Sequence, residues 1–171
     1  FNPYNLIKFY VGEITGTTPQ TVKIYTDSNT SVDIEVSDGN KWYIYVLPKD
    51  KGLFRIEGGS VKKVIIKADI IIDGGYTIIP PSTVEASFKG SNTSNVTNMR
   101  DMFFTLPNLT SLDVSSFNTS KVTNMSGTFQ GCSGLTQLDL RSFNTSKVTS
   151  MQNMFNGCRG SLNLSGWDLS N

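Results

Sequence analysis

The chain contains no histidine, only two cysteines, and little charge: 17% of its 171 residues are Asp, Glu, Lys or Arg. Histidine is the commonest general base and metal ligand near neutral pH, so its absence removes the ordinary routes to acid–base and metal chemistry. With 15 Lys and Arg against 14 Asp and Glu, neither sign is in excess. An electrostatic footprint for nucleic acid or an anionic membrane is therefore not expected. No apolar run approaches the roughly 18 residues that span a bilayer, so membrane insertion by this segment is not expected either. There is no nucleophile motif, no Gly-rich phosphate loop and no cluster of metal ligands. Neither a cofactor nor an enzymatic activity is expected. The chain begins at Phe1, not Met, as expected of a processed or trimmed chain, so any signal peptide or anchor is expected to lie outside it.

What is present is repetition. Phe117-Asn118-Thr119-Ser120-Lys121-Val122-Thr123-Asn124-Met125 returns 26 positions later as Phe143-Asn144-Thr145-Ser146-Lys147-Val148-Thr149-Ser150-Met151. The same offset backwards lands on Ser91-Asn92-Thr93-Ser94-Asn95-Val96-Thr97-Asn98-Met99. A fixed period of this size, with apolar residues at fixed phases, predicts units that stack and share one core. Such arrays present a surface.

The two halves follow different rules. Residues 1–80 alternate apolar and polar positions in short runs, such as Leu6 to Val11, Val22 to Tyr25, Val32 to Val36 and Trp42 to Val46. Turn residues separate them, and Leu53–Glu57 and Val61–Asp73 follow, which predicts a small antiparallel sheet or sandwich. Ile70-Ile71-Ile72 is apolar on both faces and is expected to lie against the first repeat as a cap. Pro80-Pro81 cannot continue a ladder and marks the domain boundary. In residues 81–171 the units run over about 84–108, 109–134, 135–160 and a partial 161–171.

Each unit is expected to hold a short strand and one short helix. The strands are Val84-Glu85-Ala86, Leu112-Asp113-Val114, Leu138-Asp139-Leu140 and Leu162-Asn163-Leu164. Val148, Met151, Met154 and Phe155 stand at i, i+3, i+6 and i+7, and Val96, Met99, Met102 and Phe103 copy them. Val122, Met125 and Phe129 keep part of the same stripe. The spacing predicts a helix, with Ser120 and Ser146 as N-caps and Gly131 and Gly157 as ends. The fold class predicted is mixed: an N-terminal antiparallel β domain, then a short α/β solenoid of parallel strands and short helices.

The pattern Leu-x-x-Leu-Asp-(Val/Leu)-x-x-Phe-Asn-Thr-Ser-Lys-Val-Thr-x-Met-x-x-x-Phe-x-x-Cys resembles the BspA-like leucine-rich repeats of bacterial surface proteins, a type also common in Mycoplasma lipoproteins. The match is close over 109–134 and 135–160, good over 84–108 and truncated at the end, and residues 1–80 lack it. The resemblance implies a secreted or surface-anchored protein of a bacterium that adheres to host proteins or other cells.

Outward strand positions are expected to form three columns. They are Thr83, Ser111, Gln137 and Ser161; Glu85, Asp113, Asp139 and Asn163; and Ser87, Ser115, Arg141 and Ser165. From these the candidate ligand-binding face is Glu85, Ser111, Asp113, Ser115, Gln137, Asp139, Arg141 and Asn163. Its acidic middle column suits a basic partner or a loosely held cation; alternatively it keeps the face wet and bonds neighbouring strands. Phe117, Phe143 and Trp167 form an aromatic column assigned to the core. Cys132 and Cys158 share a phase close enough for a disulfide, but Leu106 at the preceding phase favours a column of small buried thiols. Trp42 and Ile44 share one face of their strand, Tyr43 and Tyr45 the other. The Tyr pair could hold a sugar, but packing against a neighbouring domain or subunit is favoured.

The leading expectation is a non-catalytic extracellular module that binds a host or neighbouring-cell protein or glycan through the repeat face. The alternative is a structural or receptor-binding subunit of a phage tail, fibre or other particle. Oligomerisation through the N-terminal sheet would favour the second.

Overall fold

A computed structural model of the chain describes residues 5–16 and 18–170. Period-two alternation makes the first strands: β1 (Leu6–Val11), β2 (Gln20–Tyr25), β3 (Ser31–Val36) and β4 (Lys41–Val46). They are followed by β5 (Arg55–Glu57) and β6 (Val61–Lys67). The repeats then contribute one three-residue strand each: β7 (Glu85–Ser87), β8 (Ser111–Asp113), β9 (Gln137–Asp139) and β10 (Ser161–Asn163).

Among the described residues three sheets result. The largest has the order β4-β1-β6-β7-β8, antiparallel from β4 to β6 and parallel from β6 to β8. A second, β3-β2-β5, is antiparallel. The third is the parallel pair β10-β9. Ile7, Phe9, Val64 and Ala86 on the large sheet and Val22, Ile24 and Ile56 on the second belong to one buried cluster. That cluster continues into the repeats through Phe88, Phe103, Phe117 and Phe129.

The predicted α/β solenoid is not what forms. Among the described residues there is no helix, and the repeat strands do not build one continuous solenoid sheet, since β7 and β8 join the large sheet while β9 and β10 pair separately. The apolar stripe is buried as expected at Val122, Met125 and Phe129, but on a chain of turns. Left-handed residues recur at fixed phases: Asp101 (φ 62°) and Thr105 (φ 54°), Gly127 (64°) and Gly131 (80°), Asn153 (58°) and Gly157 (82°). An α-helix needs consecutive right-handed residues, and these interrupt it every fourth position.

The backbone bonds follow from that geometry. The N–H groups of Met102, Gln130 and Cys132 bond three residues back within their own coil. Those of Met99, Asp101, Phe103 and Thr105 instead cross to the carbonyls of Asn124, Ser126, Thr128 and Gln130 in the next coil, at 2.7–3.1 Å. The same alternation ties Met125, Gly127, Phe129 and Gly131 to Ser150, Gln152, Met154 and Asn156. Ser120 and Ser146 cap no helix; their N–H groups bond the side-chain oxygens of Asn118 and Asn144.

One further expectation is corrected. The strand expected over Val61–Asp73 ends at Lys67, and Ile71 is exposed while Ile70 and Ile72 are buried. Ile70 N–H bonds to Asn92 and Asn92 N–H to Ala68, so this segment lies beside the first repeat as a turn-rich coil. Across Pro80-Pro81 the large sheet continues, with β6 paired to β7.

Candidate binding face

The registers place the side chains of the large sheet in rows across its outer face. One row reads Trp42, Tyr10, Lys63, Glu85, Ser111. The next reads Ile44, Lys8, Ile65, Ser87, Asp113. Residues on the other parity, such as Phe9, Val64 and Ala86, point into the core. The outer face is apolar at the β4 end, where Trp42 is 43% exposed, Ile44 63% and Val46 55%. It becomes polar toward β8.

The pairing shifts the expected columns. Glu85 stands opposite Ser111, and Asp113 opposite Ser87, so Glu85 is not in line with Asp113. The strand expected at Val84-Glu85-Ala86 is Glu85–Ser87, two residues out of register. Gln137 pairs with Ser161 and Asp139 with Asn163 on the separate β9-β10 ribbon. Ser115 and Arg141 lie just past their strands, in the turns that follow. Of the eight candidates, Glu85, Ser111 and Asp113 share the large sheet, and Gln137, Asp139 and Asn163 share the ribbon.

Charges on this face are partnered locally. Lys63 Nζ lies 3.5 Å from Glu85 and 5.8 Å from the centre of the Tyr10 ring, which meets Trp42 edge-on at 5.5 Å. Arg141 holds Asp139 at 2.7 Å. That side-chain bond, with the Arg141 N–H, draws the Asp139 carboxyl down to about 2. Asp113 accepts the Ser115 hydroxyl at 2.6 Å and its N–H at 2.9 Å, which lowers its pKa too. Asn163 repeats the turn with Ser165. Asp113, Asp139 and Asn163 of the middle column thus close their own turns, while Glu85 pairs with Lys63 instead. An Asp or Asn at the strand end, followed by Ser two residues on at Asp113 and Asn163 and by Arg at Asp139, is the signal for such a turn.

Among the described residues, shallow depressions along the face include these three. The first, about 380 Å³, is lined by Trp42, Lys63, Ile65, Glu85, Ser87, Ser111 and Asp113. The second is bounded by Ser115, Asp139, Arg141 and Ser142, and the third by Gln137, Asp139, Ser161 and Asn163. Among the described residues no three Cys, Asp or Glu side chains gather to hold a metal ion.

Other sequence candidates lie elsewhere. Tyr43 and Tyr45 are half-buried, with Tyr43 stacked on Phe9 at 5.4 Å, so the exposed aromatic of β4 is Trp42. Phe117 and Phe143 stack at 6.0 Å in the core, and half-buried Trp167 stacks on Phe143 at 6.2 Å against it. Cys132 and Cys158 are free thiols, donating to the carbonyls of Phe103 and Phe129 at 3.0 Å.

Residues 81–171, just over half of the chain, match the family described as Mycoplasma protein of unknown function, DUF285. The chain belongs to that family. No curated protein and no solved structure matches it. The DUF285 match starts at Pro81, so β1 to β6 lie outside it while β7 and β8 complete their sheet. The first depression is therefore lined by DUF285 residues on one side and by Trp42, Lys63 and Ile65 on the other.

Proposed function

We propose that the chain is a non-catalytic recognition module that acts outside a bacterial cell. It holds a host or neighbouring-cell protein or glycan on the outer face of its sheet. The carrying observation is the row Trp42, Tyr10, Lys63, Glu85, Ser111. It sets an exposed aromatic ring beside an ordered series of polar groups over an open depression. Aromatic anchors flanked by partnered polar groups are how binding surfaces combine affinity with orientation. The DUF285 repeats are read as the BspA-like kind found in bacterial surface proteins, which agrees with that location.

A second reading, a structural or receptor-binding subunit of a phage tail, fibre or other particle, is favoured by one feature. Among the described residues the outer edge of β4 has no paired strand, and its exposed side chains are apolar, which suits an assembly contact.

Glycan and protein arrays probed with the intact chain test the first reading. W42A and the double variant D113N/D139N, whose amides can still close their turns, are expected to lose about tenfold or more in binding. K121A, in the turn beside Asn95, is the control and is expected to bind as wild type. Face variants that bind unchanged would contradict the proposal.

A further inference from the structure

Among the described residues β4 pairs only with β1, on one side. Leu47 N–H donates to Asn5 at 3.0 Å, and the register steps from there through Tyr45–Ile7 and Tyr43–Phe9. The alternation of an antiparallel ladder then turns the N–H and C=O of Trp42, Ile44 and Val46 away from β1, toward the free edge. These same three residues carry the exposed apolar side chains. Edge strands are ordinarily protected by Pro, by a bulge or by inward charges. Lys41–Val46 has no Pro, pairs with β1 without a register shift, and carries its one charge at its first residue.

We propose that two copies of the chain pair edge to edge through β4, antiparallel, about a two-fold axis at Ile44. The strand is self-complementary about that residue. Ile44 meets its own copy, Trp42 meets Val46, and Tyr43 meets Tyr45. The pairs involving 42, 44 and 46 are the hydrogen-bonded ones, so every outward N–H and C=O of the strand gains a partner. Trp42–Val46 is an aromatic–β-branched contact and Tyr43–Tyr45 an aromatic–aromatic one, both favourable kinds, and Ile44–Ile44 is apolar. No charge faces a like charge, because Lys41 falls opposite Leu47 beyond the strand end. An isologous contact of this sort closes on itself and makes a dimer. The two large sheets then form one ten-stranded sheet, with the two Trp42 rows on the same side.

Sedimentation of the intact chain over a wide concentration range tests this. The expected mass is twice 18.8 kDa at the upper end. I44K puts two ammonium groups on the axis and is expected to raise the dissociation constant at least about tenfold, as is I44E. An equimolar mixture of I44K and I44E is expected to recover a mixed dimer, since opposite charges then meet. Amide exchange on the unaltered chain is an independent reading that needs no variant. The Trp42, Ile44 and Val46 amides are expected to slow as concentration rises. A mass of 18.8 kDa throughout, with those amides exchanging fast at every concentration, would overturn the proposal. So would a dimer indifferent to I44K and I44E. A monomer that binds array proteins with loss of exchange at these three amides would assign the edge to a foreign strand and overturn it likewise.

Discussion

Thr119 and Asn144 exchange two hydrogen bonds: the Thr119 hydroxyl donates to the Asn144 carbonyl at 3.0 Å and accepts the Asn144 N–H at 2.7 Å. The exchange recurs between Thr93 and Asn118 and between Thr145 and Asp168. One buried hydroxyl thus serves both backbone groups of the next coil, and the ladder runs through threonine while the Asn side chains close their own turns. Thr119→Val keeps the shape and removes both bonds. Its cost is expected to be about 2 kcal/mol in urea unfolding, because buried backbone groups lose their partner. The exposed Thr123→Val is expected to stay within about 0.5 kcal/mol.

Thr105, Gly131 and Gly157 occupy one phase of the repeat, all with positive φ. Glycine adopts this conformation freely, whereas a β-branched residue is strained there. Thr105→Gly is expected to stabilise the fold by about 1 kcal/mol, and Gly131→Thr to destabilise it by more. The second change also brings a Cβ within 3.2 Å of Thr105 Cα. Paired thermal melts of the two variants check the opposite signs.

Acid should weaken the turns at the strand ends. Asp139, Asp113 and Asp168 all have folded pKa values below the ordinary 3.8. Groups depressed in this way add stability above about pH 4, and it is lost as pH falls through their folded values. The melting midpoint is expected to fall between pH 4 and 2. R141A and S115A should each flatten the decline, the R141A effect vanishing in high salt because that pair is exposed.

The thiols should be silent in the native state. Burial, with Cys158 adding to it, pushes Cys132 up to about 12, and burial raises Cys158 as well. A thiolate reagent at pH 8 is expected to label Cys132 only on unfolding, with both thiols titrating in denaturant. A single reactive pair appearing only after reduction would contradict the free-thiol assignment.

Much of this arrangement is legible in the residues. The alternation from Leu6 to Val46 places β1 to β4, and the period of 26 places the coils and their buried Val, Met and Phe columns. The helices were misread because two successive turns can repeat the i, i+3 spacing of a helix. The correcting signal is Gly127, which falls inside the expected helix between Met125 and Phe129, where a glycine is tolerated poorly. The register of β7 was misread because Val84-Glu85-Ala86 looks like Leu112-Asp113-Val114, while the 26-residue offset pairs Glu85 with Ser111. The alternation separates Trp42 and Ile44 from Tyr43 and Tyr45, but it does not tell that Trp42 is on the outward face. The place of Trp42 beside Glu85 was not legible either, since only long-range pairing of β1 with β4 and β6 brings them together.

The outer face as the binding surface is the central claim, and the two tryptophans test it most directly. Trp42 lies on that face, while Trp167 packs behind Phe143 with its indole N–H on the Leu140 carbonyl at 2.9 Å. Their two indole N–H resonances can be followed while the tightest array binder is added to the intact chain. The account predicts that the Trp42 signal moves with saturation and the Trp167 signal stays. Movement of Trp167 with Trp42 unchanged would contradict it.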